Sequence, residues 1–312
     1  MLNSLSIPGA VPPPKETVDS SVAWHFGDPF AEQRNLISGN GNVDQSHRGV
    51  ISITGPDART FLNSLTTQEL LNLKTGESAI TLDLNPQGFV LNELHVIAED
   101  DTLWITCESN ARESLFNYLN KMKFRFQVEI SDRTEEFAVV WQPVKELHEK
   151  YLTWISPFDW NSREILVPRE DLISTLGQKP SGMWAYEALR VAALVPRIGF
   201  ETDHHTIPHE LGWIESAVHL NKGCYRGQET VSKVERMGKP PRRLVRLLLD
   251  GSSDQMPASQ TPVTLEGALV GFVGQSVQHA VLGPIASAVI KRNVADDAQL
   301  TIAGIPALTA LG

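Results

Sequence analysis

A chain of 312 residues, 41% hydrophobic and 21% charged, carries enough apolar material to bury a sizeable core and is too long for a single small domain, so two or three domains are expected. Its formal net charge of -10 repels phosphate backbones, which argues against direct nucleic-acid binding as a main role. Cys107 and Cys224 are the only cysteines, too few for a disulfide framework or for a cluster held by four thiolates of one chain.

No apolar run approaches the roughly 18 residues of a membrane span, and the N-terminus lacks the apolar core of a signal peptide, so a cytoplasmic location without membrane attachment is expected. Residues 1–20, with Pro12, Pro13 and Pro14, read as an extended, poorly ordered lead-in. GVISITG from Gly49 alternates as a strand does, and Pro56-Asp57 then opens a helix whose Phe61, Leu62 and Leu65 share one face. AITLDLNPQGFVLNELHVIA predicts two strands joined by a turn at Asn85-Pro86-Gln87-Gly88, where Pro presets one dihedral and Gly tolerates a positive one. TLWITC predicts another strand, ARESLFNYLNKM a helix, and FRFQVEIS a further strand by alternation. Periodicity weakens over 150–180, and SGMWAYEALRVAAL predicts a helix ending before Pro196. After Pro240-Pro241, short apolar runs broken by Gly, Pro, Ser and Asp predict a small β-barrel or sandwich of roughly 70 residues. Strands and helices mix without a regular βα repeat, so the fold class is α+β.

The densest chemistry lies in the stretch from His219 to Glu229, HLNKGCYRGQE. It places a thiol, an ammonium, a phenol, a guanidinium, an amide and a carboxylate close together in sequence, with Gly223 and Gly227 permitting tight backbone geometry. A cation two residues from a thiol favours the reactive thiolate, which makes Cys224 with Lys222 a candidate centre; the plainer reading is a buried small residue beside a surface charge.

This segment resembles the K-G-C-Y-x-G-Q-E signature of the YgfZ family, a branch of the aminomethyltransferase-like folate-binding superfamily. WHFGDPFAEQ, HRGVISITGPDARTFLNSLTTQEL, LNPQGFVLNEL, WAYEALRVAALVPRIGFETDHHTIPHELGW and GKPPRRLV also look like bacterial, especially actinobacterial, members. The resemblance implies a three-domain fold: a discontinuous α+β folate-binding domain from 21–48 and 155–235, an inserted α+β domain at 49–154, and a C-terminal β-barrel at 240–312. It implies tetrahydrofolate, or a one-carbon-substituted form, as cofactor. It further implies a role in assembling or repairing iron–sulfur enzymes, including tRNA-modifying ones, with those enzymes or assembly proteins as partners. Cys224 and Lys222 would be its functional centre.

Glycine-cleavage aminomethyltransferases carry a pair of aspartates after the Gly-containing turn, and the second is their essential acid near the folate. Here the pair is Asn92-Glu93. Their Arg-Leu-Glu-Ala-Gly run, with its Glu at the pterin site, is Arg190-Val191-Ala192-Ala193-Leu194 here. Both departures favour the YgfZ branch, and the alternative is a true aminomethyltransferase with Glu93 as the acid. Candidate folate contacts are Glu93, Arg125, Tyr225, Arg226 and Gln228. The plainer readings are a strand-end carboxylate for Glu93 and the polar member of an alternating strand for Arg125. Asp203, His204, His205, His209 and Glu210 could suggest a metal site, but neighbouring side chains of an extended segment diverge and Pro208 intervenes, so no metal is expected. Trp24, Trp184 and Trp213 are core residues or walls of a ligand opening. The cluster Arg236, Lys239, Arg242 and Arg243 attracts a glutamyl tail or acidic partner, or serves as a solubilising linker.

Overall fold

The structure is a computed structural model that describes residues 2–14, 17–144, 150–157, 162–252 and 255–310. The chain divides into two compact units. One comprises Met1–Leu84, Asn92–Tyr186 and Ala217–Arg226; the other comprises Asn85–Leu91, Glu187–Ser216 and Gly227–Gly312.

The first unit is built on two sheets. Strands Ser78–Leu84, Val90–Glu99, Thr102–Cys107, Gly49–Thr54 and Glu129–Asp132 form a five-stranded sheet in that spatial order. Helices Ala58–Leu65 and Arg112–Met122 cover one face, burying Phe61, Leu62, Leu65, Leu115 and Leu119 against alternate strand residues such as Ile51, Ile53, Leu94 and Val96. On the other face Val50, Ile97 and Trp104 meet Val139, Trp154 and Leu166 of the second sheet. That sheet runs Val43–Asp44, Phe137–Gln142, Arg163–Pro168, Leu152–Ile155. Covering on both faces explains why Gly49–Thr54 is buried at every position before Thr54, unlike the half-solvated strand that alternation alone describes.

The expected turn at 85–88 closes with Asn85 N–H donating to Phe89 O and Gly88 N–H to Asn85 O, both at 2.9 Å, and Gly88 takes φ +83°. FRFQVEIS departs from expectation, because the strand begins only at Glu129. Its partner runs out at Thr54, paired with Glu129, and Gly55 lets the Gln127 carbonyl cross where a Cβ would lie 2.2 Å from its oxygen. Phe124 and Arg125 therefore form an exposed turn. The weakly periodic 150–180 region supplies Leu152–Ile155, Arg163–Pro168 and helix Leu172–Leu176; residues 158–161 within it lie outside the described residues.

Residues 2–14, part of the expected lead-in, are tied down at Ser4, which is buried. Its N–H donates to Asp44 Oδ2 at 2.7 Å and its Oγ accepts from Ala23 N–H at 2.8 Å. Residues 1, 15 and 16 of that lead-in lie outside the described residues.

The second unit carries a closed six-stranded β-barrel, in the order Arg242–Leu249, Gly283–Lys291, Ala268–His279, Pro262–Leu265, Gln299–Ile302, Ile305–Ala310. The run PVTLEGALVGFVGQSV thus makes two strands, and IPALTA adds one that turn residues had hidden. Valines, leucines, isoleucines and alanines fill the interior, among them Leu247, Val263, Val273 and Ile302. Outside it, Arg190 is buried between Glu187, at 2.8 Å, and Glu201, at 3.0 Å. A register shift between Val273 and Ser276 carries Gln275, whose Oε1 accepts from Arg190 Nη2 at 2.7 Å. Among the described residues, no helix is long and apolar enough to cross a membrane.

Candidate functional site

The segment from Lys222 to Arg226 is fastened to the first unit at both ends. Lys222, 8% exposed, donates from Nζ to the backbone carbonyls of Asn63 at 2.7 Å, Thr66 at 2.8 Å and Gln68 at 2.6 Å. These carbonyls lie at and just beyond the C-terminal end of helix Ala58–Leu65, where orphan acceptors and the helix dipole favour a cation. Burial draws Lys222 down to about 8, and its Nζ stands 5.6 Å from the centre of the Tyr225 ring. Burial also pushes the Tyr225 phenol up to about 12.

At the other end Arg226 reaches the strand Ser78–Leu84. Its Nη2 donates to Asp83 Oδ1 at 2.6 Å and its Nε to Leu84 O, and the guanidinium stacks 4.6 Å over Tyr118. Asp83 is buried and also accepts from Asn92 Nδ2 at 3.0 Å. Burial raises Asp83 despite those two donors. Between the two anchors Cys224 is exposed to solvent, so the segment presents a thiol from a fixed backbone. Cys107 differs: it is buried, and desolvation pushes its thiol up to about 12.

Glu93 points to the opposite face of its strand from Asn92, as the two-residue period requires. That face lies between the two sheets, and the next residue on it is His95. His95 Nε2 sits 3.8 Å from Glu93 Oε2, while its Nδ1 is 2.8 Å from Glu164 Oε2 on the second sheet. Trp154 Nε1 donates to the same Glu164 oxygen at 2.6 Å. Burial alone would lower His95, but Glu164 and Glu93 outweigh it and hold the imidazole up at about 9, an imidazolium at neutral pH. Burial alone would raise Glu164, and His95, Arg48 and Trp154 overcome it to leave it lowered. Arg48 Nη1 faces Glu108 Oε1 at 3.5 Å. Glu93, His95, Arg48, Glu108 and Glu164 are each less than a tenth exposed. Sequence reading had singled out Glu93 alone; the i, i+2 spacing of His95 was the signal available to find its neighbour, whereas Glu164 and Trp154 arrive from distant sequence.

The structure does not bring all the candidate residues together. Arg125 lies exposed in the turn before Glu129, and Gln228 opens helix Gln228–Met237 in the second unit. Trp24 and Trp184 stack on each other at 6.2 Å between centroids, and Trp213 is buried. The histidine-rich run in the second unit disperses. Asp203 accepts from Arg242 and Thr206, His205 packs edge-on to Phe89 at 5.1 Å, and His209 Nε2 lies 3.4 Å from Glu235. In the basic cluster, Arg242 is bound to Asp203 and Glu210 and Arg243 to Asp296, so these two are internal ties rather than a free patch; Arg236 and Lys239 are exposed. Arg242 brings Asp203 down to about 2 against the upward pull of burial.

The first unit also has a half-open pocket of about 210 Å³ whose wall includes His47, Arg112 and Arg169. Each of these side chains is already engaged: His47 with Asp19 at 3.1 Å, Arg112 with Asp132 at 3.5 Å, and Arg169 with the carbonyls of Thr134, Ser46 and Leu2.

Comparison with known proteins agrees with this architecture. Residues 22–141 match the family model of the GCVT N-terminal domain. An aminomethyltransferase of Thermotoga maritima is 25% identical over 321 residues, covering 89% of this chain and 85% of that protein. One from Xanthomonas axonopodis pv. citri is 23% identical over 283 residues, covering 78% and 76%. The crystal structure of glycine cleavage system aminomethyltransferase T from Bartonella henselae matches with a TM-score of 0.81, over 97% of this chain and 93% of that one, at 18% identity. The likenesses are to the GCVT N-terminal domain and to aminomethyltransferases. The structural match fixes the fold, a mixed α and β architecture with the closed barrel at its C-terminal end.

Proposed function

We propose that this chain binds tetrahydrofolate, or a one-carbon-substituted form of it, and handles the one-carbon unit in the manner of an aminomethyltransferase. The observation that carries this reading is the likeness to aminomethyltransferases along 89% of the chain. It is supported by a buried carboxylate, Glu93, at the position that corresponds to the essential acid. The surrounding residues fit a pterin edge, which offers N–H donors and ring acceptors side by side. Glu93 supplies acceptor oxygens, and His95 Nε2 and Glu164 Oε1 are buried polar atoms without a hydrogen-bond partner among the described residues. When bound, the folate would supply the nitrogen that takes the one-carbon unit; this chain's part is to orient it and keep water away. Glu93 extends one methylene further than aspartate, a displacement on the scale of about 1 Å to which transfer geometry is sensitive. The test is methylene-tetrahydrofolate formation from an aminomethylated lipoyl protein: turnover by wild type that falls at least tenfold in Glu93→Gln supports the reading, and none by wild type removes transferase activity from it.

A second reading, a folate-dependent part in assembling or repairing iron–sulfur enzymes, is favoured by the exposed thiol of Cys224 between the Lys222 and Arg226 anchors. An exposed thiol suits contact with a client protein or a transient metal bond, and aminomethyl transfer leaves it without a task. Restoration of an iron–sulfur tRNA-modifying enzyme's activity by wild type but not by Cys224→Ser would support it; equal restoration by both would rule the thiol out.

A further inference from the structure

We infer that the half-open pocket of the first unit is a site for a small phosphate ligand, free or carried on a short carbon chain, held by Arg112, Arg169 and Ser46. This site is independent of the folate reading, since none of the three belongs to the Glu93 network. The wall is assembled from separate stretches of chain. Asn3 comes from the N-terminal segment, Ser46 from the turn after strand Val43–Asp44, Arg112 from the head of helix Arg112–Met122, and Arg169 from just beyond strand Arg163–Pro168. Among the described residues no Asp or Glu lines the pocket. Two guanidiniums, an amide and several hydroxyls thus converge on one space without an acid, in a chain whose net charge is -10.

Arg169 is buried, and among the described residues its guanidinium meets carbonyls rather than carboxylates. Nε donates to Thr134 O at 2.8 Å, Nη2 to Ser46 O at 2.8 Å and Nη1 to Leu2 O at 3.2 Å. Neutral acceptors satisfy the geometry but leave the charge without a counter-ion, and a cation taken out of water in that condition is costly. Burial draws Arg169 below the usual guanidinium range in spite of Asp44 and Glu135. Asp44 gives its oxygens to the backbone N–H groups of Ser4, at 2.7 Å, and Ser46, at 2.8 Å. A guanidinium has five N–H donors, so three carbonyls leave Arg169 donors to spare. Arg112 is half-exposed, and its contact with Asp132 at 3.5 Å is longer than a hydrogen bond. Ser46 is 4% exposed; its N–H and C=O are committed to Asp44 and Arg169, while its hydroxyl has no partner among the described residues. A buried hydroxyl of that kind, on a wall shared with an unneutralised guanidinium, marks a place for an anion.

A phosphate suits these donors better than a carboxylate, because its three terminal oxygens can take one guanidinium fork, a second guanidinium and a hydroxyl together. At about 210 Å³ the pocket is smaller than the roughly 300–1,000 Å³ of sites for drug-sized ligands, which leaves room for a phosphate on a short carbon chain and none for a pterin with its tail.

The experiment is calorimetric titration of the full chain with inorganic phosphate and with glycerol 3-phosphate, at low ionic strength in a buffer free of other oxyanions. Wild type, Arg112→Gln and Ser46→Ala are compared, with near-ultraviolet circular dichroism as the check on folding. The expected result is saturable binding by wild type that weakens about tenfold or more in Arg112→Gln, which loses a charged donor, and about threefold in Ser46→Ala, which loses a neutral one. Tighter binding of glycerol 3-phosphate makes a monoester the ligand, and tighter binding of inorganic phosphate makes it the free ion. Absence of saturable binding of both probes by wild type overturns the inference, and so does equal binding by wild type and both variants, which would put the phosphate elsewhere. Acetate bound as tightly as phosphate overturns the assignment to phosphate. Displacement of bound phosphate by tetrahydrofolate overturns the site as a separate one, since the folate's own carboxylates would then occupy it. Should Arg112→Gln not fold, Ser46→Ala decides alone by the same outcomes.

Discussion

Replacing Lys222 by methionine separates its structural use from any chemical one. The ammonium has three protons, and the carbonyls of Asn63, Thr66 and Gln68 take all three at 2.6–2.8 Å. Methionine fills similar space but leaves these acceptors facing an apolar chain, and hydrogen bonds to a charged donor contribute about 1.5–3 kcal/mol each. Relief of the cost of burying the ammonium, visible in its descent to about 8, returns part of that sum. The expected net loss is about 3 kcal/mol, read as a lower midpoint in urea followed by tryptophan fluorescence. Alkylation of Cys224 at pH 7 should meanwhile proceed within about twofold of the wild-type rate, since an ammonium committed to three carbonyls has no fourth proton for the thiol. Unchanged stability combined with tenfold slower alkylation would refute the reasoning and restore Lys222 as the thiol's activator.

His95 gives the stability a pH signature. Its folded pKa of about 9 exceeds the ordinary 6.5, so its contribution, about 3 kcal/mol, is complete below pH 6.5 and lost as pH rises through 9. Lys222, lowered in the fold, acts with the opposite sign from about 8 upward, so the decisive quantity is the gap in urea stability between wild type and His95→Gln, which should narrow between pH 6 and pH 9.5. Arg226→Met should cost about 2 kcal/mol at pH 7 by leaving buried Asp83 with Asn92 as its remaining side-chain donor, and adding Asp83→Asn should recover part of the loss in the same urea titration. Gly227→Ala should lower the thermal midpoint, with a cost above about 1 kcal/mol: the residue has φ +83°, and a Cβ would lie 2.8 Å from both Asn85 O and Gly88 Cα, backbone on either side.

Local patterning made much of the fold legible. Gly49–Thr54, the turn at 85–88 and helix Arg112–Met122 lie where period and turn chemistry put them, because each is decided by residues near in sequence. The failures are non-local. FRFQVEIS alternates faultlessly yet pairs only from Glu129, because the length of Gly49–Thr54 decides where a ladder can exist. Helix Gln228–Met237 begins inside the segment read for its chemistry, at Gly227 in the left-handed region. At the candidate site Glu93 and Cys224 stood out by residue type, but the carbonyls that occupy Lys222 lie about 150 residues away, and nothing in a main-chain acceptor is written in its side chain.

Within the first unit the acid and the thiol have opposite physical characters, and this bears on which reaction each could serve. Glu93 belongs to a buried network in which Glu108 and Glu164 also face Arg48 and His95. Such a network is a weak source of stability, because desolvation consumes most of the Coulombic gain, and apolar residues of the same volume would hold the two sheets together at least as well. On the proposed reading, the network serves by what a dry, oriented carboxylate does for a polar ligand. Cys224 has none of this shelter: it is exposed on an anchored segment, which on the second reading would let it meet a client protein. If folate binding resides in the Glu93 network and partner contact in Cys224, the two are separable by mutation, and a Cys224→Ser protein that still binds folate but no longer supports its client would be the form that separation takes.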